Sequence, residues 1–184
     1  MDIFKYDNIY TETLRNVLIM IAALTVVGFV LTWITEQKSK FAKIAVFLLK
    51  MATVGAVSVF FYFTVFNRGP HAERGGNLTP FYSYVQIIKK MKPDYMGDDF
   101  YVTILNYALT YPLGFFLCLS HERVKIVKTI LILAVCSILA EALQFIFALG
   151  YYEVDDVINN VLGGMLGYIV AKGFKKIIRK MRKT

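Results

Sequence analysis

The stretch SILAEALQFIFALGYYEVDDVINNVLGGMLGY, residues 137–168, decides the fold. It is apolar at both ends, yet it carries Glu141, Gln144, Asp155, Asp156, Asn159 and Asn160, followed by Gly163, Gly164 and Gly167. Glu141 and Gln144 are three apart and share one helix face. Asp155 and Asn159, like Asp156 and Asn160, are four apart at the start of the next apolar run. Gly163 and Gly167 extend that stripe as G-x-x-x-G. Folding the stretch about residues 151–152 makes two antiparallel helices. This places Gln144 opposite Asn159, and Glu141 near Leu162 and Gly163. The polar groups then turn toward each other, and the glycines let the two helices approach. Glu141 lies about eight residues, or ~12 Å, from the turn, a depth at which a lipid-exposed carboxylate costs several kcal/mol.

The rest of the chain has the same character. Of its 184 residues 57% are hydrophobic, and the mean hydropathy of +0.54 excludes an ordinary soluble domain. Apolar runs fall at 14–35, 44–66, 100–120, 124–149 and 157–172, against the roughly 20 residues needed to cross a bilayer core. An all-α integral membrane protein with a bundle of about five transmembrane helices follows. The first residues carry no basic stretch or small-residue cleavage site ahead of the first run, so that run reads as an uncleaved span. Cys118 and Cys136 lie inside apolar runs and imply no disulfide framework.

The net charge of +8 is gathered into short patches beside the runs, which encodes membrane orientation and not nucleic-acid binding. Lys38, Lys40 and Lys43, then Arg123, Lys125 and Lys128, then the tail all fall on one side of five spans. That side is expected to be cytoplasmic, with the N-terminus outside and the C-terminus inside. Tyrosines near the other interface, among them Tyr82, Tyr84, Tyr107, Tyr151 and Tyr152, agree with this orientation. The chain divides into a first span with its basic loop (1–44), a membrane domain (45–172) with an outer loop at 67–99, and a basic cytoplasmic tail (173–184). The tail is amphipathic and suited to lying along headgroups. Within the outer loop, 84–91 is a short amphipathic piece that reads as a structured loop or an interfacial helix.

Span three supplies a third wall. Asn106 and Tyr107 sit at about the depth of Gln144, and Pro112 removes a backbone donor one turn deeper. The expected site is an outward-facing polar pocket between spans three, four and five, capped by 67–84. Each element also has a plainer reading. The glycines serve close packing, the amides serve as interhelical hydrogen-bond glue, and one aspartate caps its own helix. Glu141 is the hardest to dismiss, because an intramembrane carboxylate is a functional candidate by default.

Three pieces in order, NLTPF at 77–81, NYALTYPLGFFL at 106–117 and AEALQFIFALGYYEVDDVINNVLGGMLGY at 140–168, resemble the VanZ-like family of membrane proteins. Carried over by position, the matching residues are Asn77, Pro80, Phe81, Asn106, Pro112, Gly114, Glu141, Gln144, Asp156, Asn160, Gly163 and Gly167. One departure stands out: the family usually has an arginine just before the acidic turn, where this chain has Gly150. If that arginine pairs with the buried carboxylates, its charge here either comes from elsewhere, with Arg68 and Arg74 the candidates, or is missing.

The resemblance implies a bacterial cell-membrane protein associated with resistance to glycopeptide antibiotics, teicoplanin in particular. The expected function is binding of a lipid-linked or cell-wall-related ligand at the polar pocket. The ligand-binding residues would be Glu141, Gln144, Asp155, Asp156, Asn160, Asn106, Asn77, Arg68 and Arg74. Pro80, Phe81, Pro112, Gly114, Gly163, Gly164 and Gly167 would be structural. Expected partners are membrane lipids and a lipid-linked cell-wall precursor or the antibiotic itself, with no nucleic acid, no metal and no cofactor. The alternative is a membrane enzyme acting on a lipid or cell-wall precursor through its carboxylates. In that reading Asp155, Asp156, Asn160 and Glu141 offer oxygen ligands to Mg²⁺ or Ca²⁺. The chain offers no serine, cysteine or histidine nucleophile constellation, because His71 and His121 fall on opposite sides.

Overall fold

A computed structural model describes residues 3–37, 40–69, 75–90, 97–121 and 124–183. Six α-helices dominate the described residues: α1 (Ile3–Glu36), α2 (Ala42–Phe61), α3 (Tyr82–Lys90), α4 (Asp98–Ser120), α5 (Ile126–Ile146) and α6 (Val154–Met181). A π-helical turn, Tyr62–Phe66, continues α2, and two three-residue strands, β1 (Gly75–Asn77) and β2 (Tyr151–Glu153), lie at the same end of the molecule. Five stretches are long and apolar enough to cross a membrane: Thr11–Glu36, Ala42–Phe66, Asp99–Ser120, Ile126–Ile146 and Val154–Met181. The chain is a multi-pass, all-α membrane protein.

Helix α4 occupies the centre. Every residue from Thr110 to Ser120 is buried, whereas Val26, Val127, Leu131, Ile138 and Ile169 on the other helices are exposed. Those outward apolar side chains face the hydrocarbon, which accepts them without cost. The helix runs unbroken through Pro112, which takes one donor out of its hydrogen-bond ladder, the partner of the Ala108 carbonyl. Its lower half packs Tyr111, Phe115, Phe116 and Leu119 against Leu49 of α2 and Tyr168 and Ala171 of α6. Helix α1 leans on this core through Gly28, which faces the Phe115 ring, and through a 3.2 Å hydrogen bond between Thr25 and Tyr111.

Gly163 and Gly167 do not draw α5 and α6 together, as the hairpin reading expected. They form a seam between α4 and α6. A Cβ on Gly114 would overlap the backbone of Gly164, one on Gly163 the backbone of Tyr107, and one on Gly167 the carbonyl of Tyr111. Gly164 alone of the three faces α5, at Leu133. Backbones can approach this closely only where no side chain intervenes.

Helix α6 also departs from expectation at its far end. Its 28 residues continue without a break past Lys172 to Met181, about 42 Å at 1.5 Å per residue. The stretch from 173 does not turn aside as a separate surface segment: Ile178 is fully buried, and Arg179 Nε donates to Glu36 Oε1 at 2.9 Å. Burying Ile178 and pairing Arg179 with the end of α1 hold the helix straight.

At the opposite end, β1 and β2 pair in parallel, with Gly75 beside Tyr151, Gly76 beside Tyr152 and Asn77 beside Glu153. Helix α3, the expected interfacial helix, lies over this end and buries Ser83. Of the residues singled out in the sequence, Lys38, His71, Arg74, Met91 and Arg123 lie outside the described residues.

Candidate functional site

The cap end is organised by Asp155. Its Oδ1 accepts the backbone N–H of Phe81 at 2.6 Å, and its Oδ2 accepts that of Ser83 at 2.7 Å. These amides belong to the turn that opens α3, so the carboxylate of one helix caps another that is 72 residues away in sequence. Neither Asp155 nor Asp156 caps α6; the residue at its N-cap is Glu153, which makes no capping side-chain bond. The two aspartates lie two and three positions past the N-cap, inside the first turn of α6.

The turn itself is built for this contact. The Tyr82 N–H reaches the Thr79 carbonyl at 3.4 Å, Pro80 fixes the first central position, and Phe81 takes a φ of 63° at the second. That position normally calls for glycine, and a larger residue there costs ~1–3 kcal/mol. Two charge-assisted bonds to Asp155 offset it. Asn77 steadies the approach: its Oδ1 accepts the Thr79 N–H at 2.9 Å.

Beneath this cap the polar residues meet in a chain of bonds across four helices. Asn106 Nδ2 donates to Asp156 Oδ1 at 2.6 Å. The Tyr84 hydroxyl donates to Asn159 Oδ1 and lies 2.9 Å from the Tyr107 hydroxyl, tying α3 to α6 and α4. The Glu153 N–H donates to Glu141 Oε2 at 3.0 Å. Gln144 Nε2 donates to the Thr64 carbonyl at 2.8 Å, and Asn160 Nδ2 to Ser137 Oγ at 2.9 Å.

Two pairings expected from the hairpin are therefore wrong. Gln144 meets the π-turn after α2 and not Asn159, and Glu141 meets the backbone of β2 and not Leu162 or Gly163. The cause is the connection. Residues 151–153 are an extended strand paired with β1, and α6 starts only at Val154, which shifts the register of α6 against α5. Asn160 consequently sits beside Ser137. The π-turn supplies the other half of the explanation, because its wider hydrogen bonding, Asn67 N–H to Tyr62 carbonyl at 2.7 Å, rearranges the end of the helix around Thr64.

Four carboxylates, Glu141, Glu153, Asp155 and Asp156, gather at this end. The positive charge of Arg68 acts on three of them, Glu141, Glu153 and Asp156. Arg68 also answers the question raised by Gly150. The Arg68 Nη1 atom lies 3.0 Å from where a Cβ on Gly150 would stand, and Gly150 itself has a φ of 153°, which disfavours any side chain. The guanidinium thus fills the space beside the acidic turn from a different segment of the chain.

Glu153 lies just outside the spanning part of α6. Burial, and then the charges of Asp155 and Asp99, push its carboxyl above the ordinary range, while the Ser83 hydrogen bond and Arg68 pull it down. The folded protein therefore holds this proton more tightly than the unfolded chain does. The contribution is fully present below the ordinary glutamate range and is lost as pH rises through the folded value. Glu153→Gln should remove that loss. Thermal unfolding in detergent will show a smaller fall in midpoint between pH 5 and pH 8 for the variant than for the unchanged protein.

Two buried oxygens remain without a hydrogen-bond partner among the described residues, Gln144 Oε1 and Asn160 Oδ1. Also among the described residues, no group of three or more His, Cys, Asp or Glu is placed to hold a metal ion. Of the candidate residues, Glu141, Gln144, Asp155, Asp156, Asn160, Asn106, Asn77 and Arg68 are brought to the cap end. Sequence reasoning missed Thr64, Ser83, Tyr84, Ser137 and Glu153 as members of this network. Glu153 alone gave a signal, since it stands beside the two aspartates; the others are hydroxyl residues whose role depends on distant partners.

The family model described as VanZ/LLP1 matches residues 52–178, which contain every group of this network. The chain belongs to the VanZ/LLP1 family. It is also similar to Protein VanZ of Enterococcus faecium, with 30% identity over 91 residues, covering 50% of this chain and 56% of that protein. The chain thus spans only a little over half the length of that curated relative. No solved structure matches the chain. The VanZ/LLP1 match takes in α4, α5 and nearly all of α6, together with the cap, so the glycine seam and the acidic cluster both lie within the family's own segment.

Proposed function

We propose that this VanZ/LLP1 protein contributes to resistance to glycopeptide antibiotics of the teicoplanin type by binding a lipid-linked or cell-wall-related ligand at its capped, acidic end. One observation carries the reading: four carboxylates gather beneath α3, three of them under the charge of Arg68, at an end of the bundle from which lipid-facing helices descend. Such a cluster is costly for a membrane protein and is retained where it serves a ligand. Acceptor oxygens dominate it, including the unpartnered Gln144 Oε1 and Asn160 Oδ1, and this suits a ligand rich in amine, amide or hydroxyl donors. The membrane domain, 45–172, holds the site. The lysines and arginines gather at the other end, around Lys125, Lys172 and Arg179, and by the positive-inside rule that end is cytoplasmic and the acidic end faces outward. Membrane lipids surround the bundle, and the cell-wall precursor or the antibiotic is the ligand.

The test is to express the protein, Glu141→Gln and Asp156→Asn in a susceptible Gram-positive host and to measure the minimal inhibitory concentration of teicoplanin. Both substitutions keep size and remove charge. At equal membrane levels each variant will lose most of the protection. Full protection by both would show that the acidic cluster is irrelevant to resistance.

A further inference from the structure

At the end opposite the acidic cluster, a cavity of about 1130 Å³ opens between the start of α5 and the last turns of α6. Among the described residues fifteen line it, of which seven are lysine or arginine and none is acidic. Its walls divide by chemistry. Val127 and Ile169 form an apolar side that faces lipid, and both are more than half exposed in the protein alone. Lys172, Lys175, Lys176 and Arg179 form the basic side along one length of α6.

The basic side is held in shape by the protein. Lys175 Nζ donates to the Cys118 carbonyl at 2.6 Å and to the His121 carbonyl at 3.2 Å, which closes the end of α4. The Tyr168 hydroxyl donates to the Val124 carbonyl at 3.0 Å, and the Lys172 ammonium lies 5.7 Å from the centre of the Tyr168 ring. Glu36, at the end of α1, is paired with Arg179. A concave space with one wall of aliphatic side chains open to hydrocarbon and the other of ammonium groups matches one kind of molecule, an anionic amphiphile.

We propose that this cavity binds a phosphate-bearing membrane lipid, with its acyl chains along Val127 and Ile169 and its phosphate among Lys172, Lys176 and the neighbouring cations. Cations at a membrane surface attract anionic lipid with about 1 kcal/mol each, so two of them set a preference of roughly tenfold or more. The site is separate from the acidic cluster and does not depend on its ligand.

The full chain, purified in detergent, is mixed with equal amounts of phosphatidylglycerol and phosphatidylcholine, and bound lipid is counted by native mass spectrometry. The protein should retain phosphatidylglycerol over phosphatidylcholine by about tenfold. Lys172→Gln combined with Lys176→Gln should bring the ratio near one, and arginine at both positions should keep it. Lys40→Gln combined with Lys43→Gln removes the same charge at the same end but outside the cavity and should leave the ratio unchanged. Equal retention of the two lipids by the unchanged protein would overturn the proposal, as would an equal drop in the Lys40 and Lys43 variant. Complete displacement of the lipid by excess inorganic phosphate would also overturn it, since the site would then be one for free phosphate.

Discussion

Gly114→Leu and Gly167→Leu will each prevent the bundle from assembling in its native form. At Gly114 an added Cβ meets the backbone of Gly164, and at Gly167 it meets the carbonyl of Tyr111, so no rotamer of the new side chain relieves the overlap. Helices α4 and α6 would have to separate, and with them the core made by Phe115, Tyr168 and Ala171. Overpacking a tight contact costs ~1–3 kcal/mol where neighbours can shift, and more where the obstacle is backbone. The bond from Asn106 to Asp156 spans the same two helices and would be lost with the seam. Gly55→Ala is the control, because nothing lies within 4 Å of its Cβ position and alanine favours a helix. Thermal unfolding in detergent will show a large drop in midpoint, or no folded protein, for the two leucine variants and no drop for Gly55→Ala. A midpoint for Gly114→Leu equal to that of the unchanged protein would contradict the seam.

Arg68→Gln carries the second large effect. Four carboxylates share this end, and Arg68 is the cation whose charge reaches Glu141, Glu153 and Asp156. Glutamine keeps a hydrogen-bonding side chain but removes the Arg68 charge from those groups in a partly dehydrated setting, where like charges repel strongly. The carboxylates would then hold protons or move apart, and in either case the arrangement beneath α3 changes. Arg68→Lys keeps the charge and loses the planar fork, so it should retain part of the activity. Adding a side chain at Gly150 does not reproduce the arginine from the neighbouring segment. Its φ of 153° strains any residue with a Cβ, and the space is occupied by Arg68 itself.

The five spans and the gathering of polar residues at one end were legible in the sequence, because apolar length and the three- and four-residue spacings are local signals. The partners of those residues were not. One of the two aspartates looked like a cap for its own helix, and nothing near Asp155 in sequence points to the amides of Phe81 and Ser83. Gln144 looked like a partner of Asn159 because a short connection suggests a simple hairpin. The pairing of residues 151–153 with 75–77 shifted that register, and three-residue strands made of Gly-Gly-Asn and Tyr-Tyr-Glu leave no alternating pattern to read. The glycine stripe marked a close approach correctly, but a helix in a bundle has more than one neighbour, and α4 was the one chosen. Arg68 could be named as a candidate from its charge alone; its position beside Gly150 required the fold.

The acidic cluster, balanced by Arg68, is proposed as the part of this VanZ/LLP1 protein that acts on glycopeptide susceptibility. The direct measurement is the minimal inhibitory concentration of teicoplanin in a susceptible Gram-positive host expressing the unchanged protein, Arg68→Lys or Arg68→Gln, with membrane levels matched by immunoblot. The account predicts full protection from the first, partial protection from the second and none from the third. Full protection from Arg68→Gln at matched levels would contradict it.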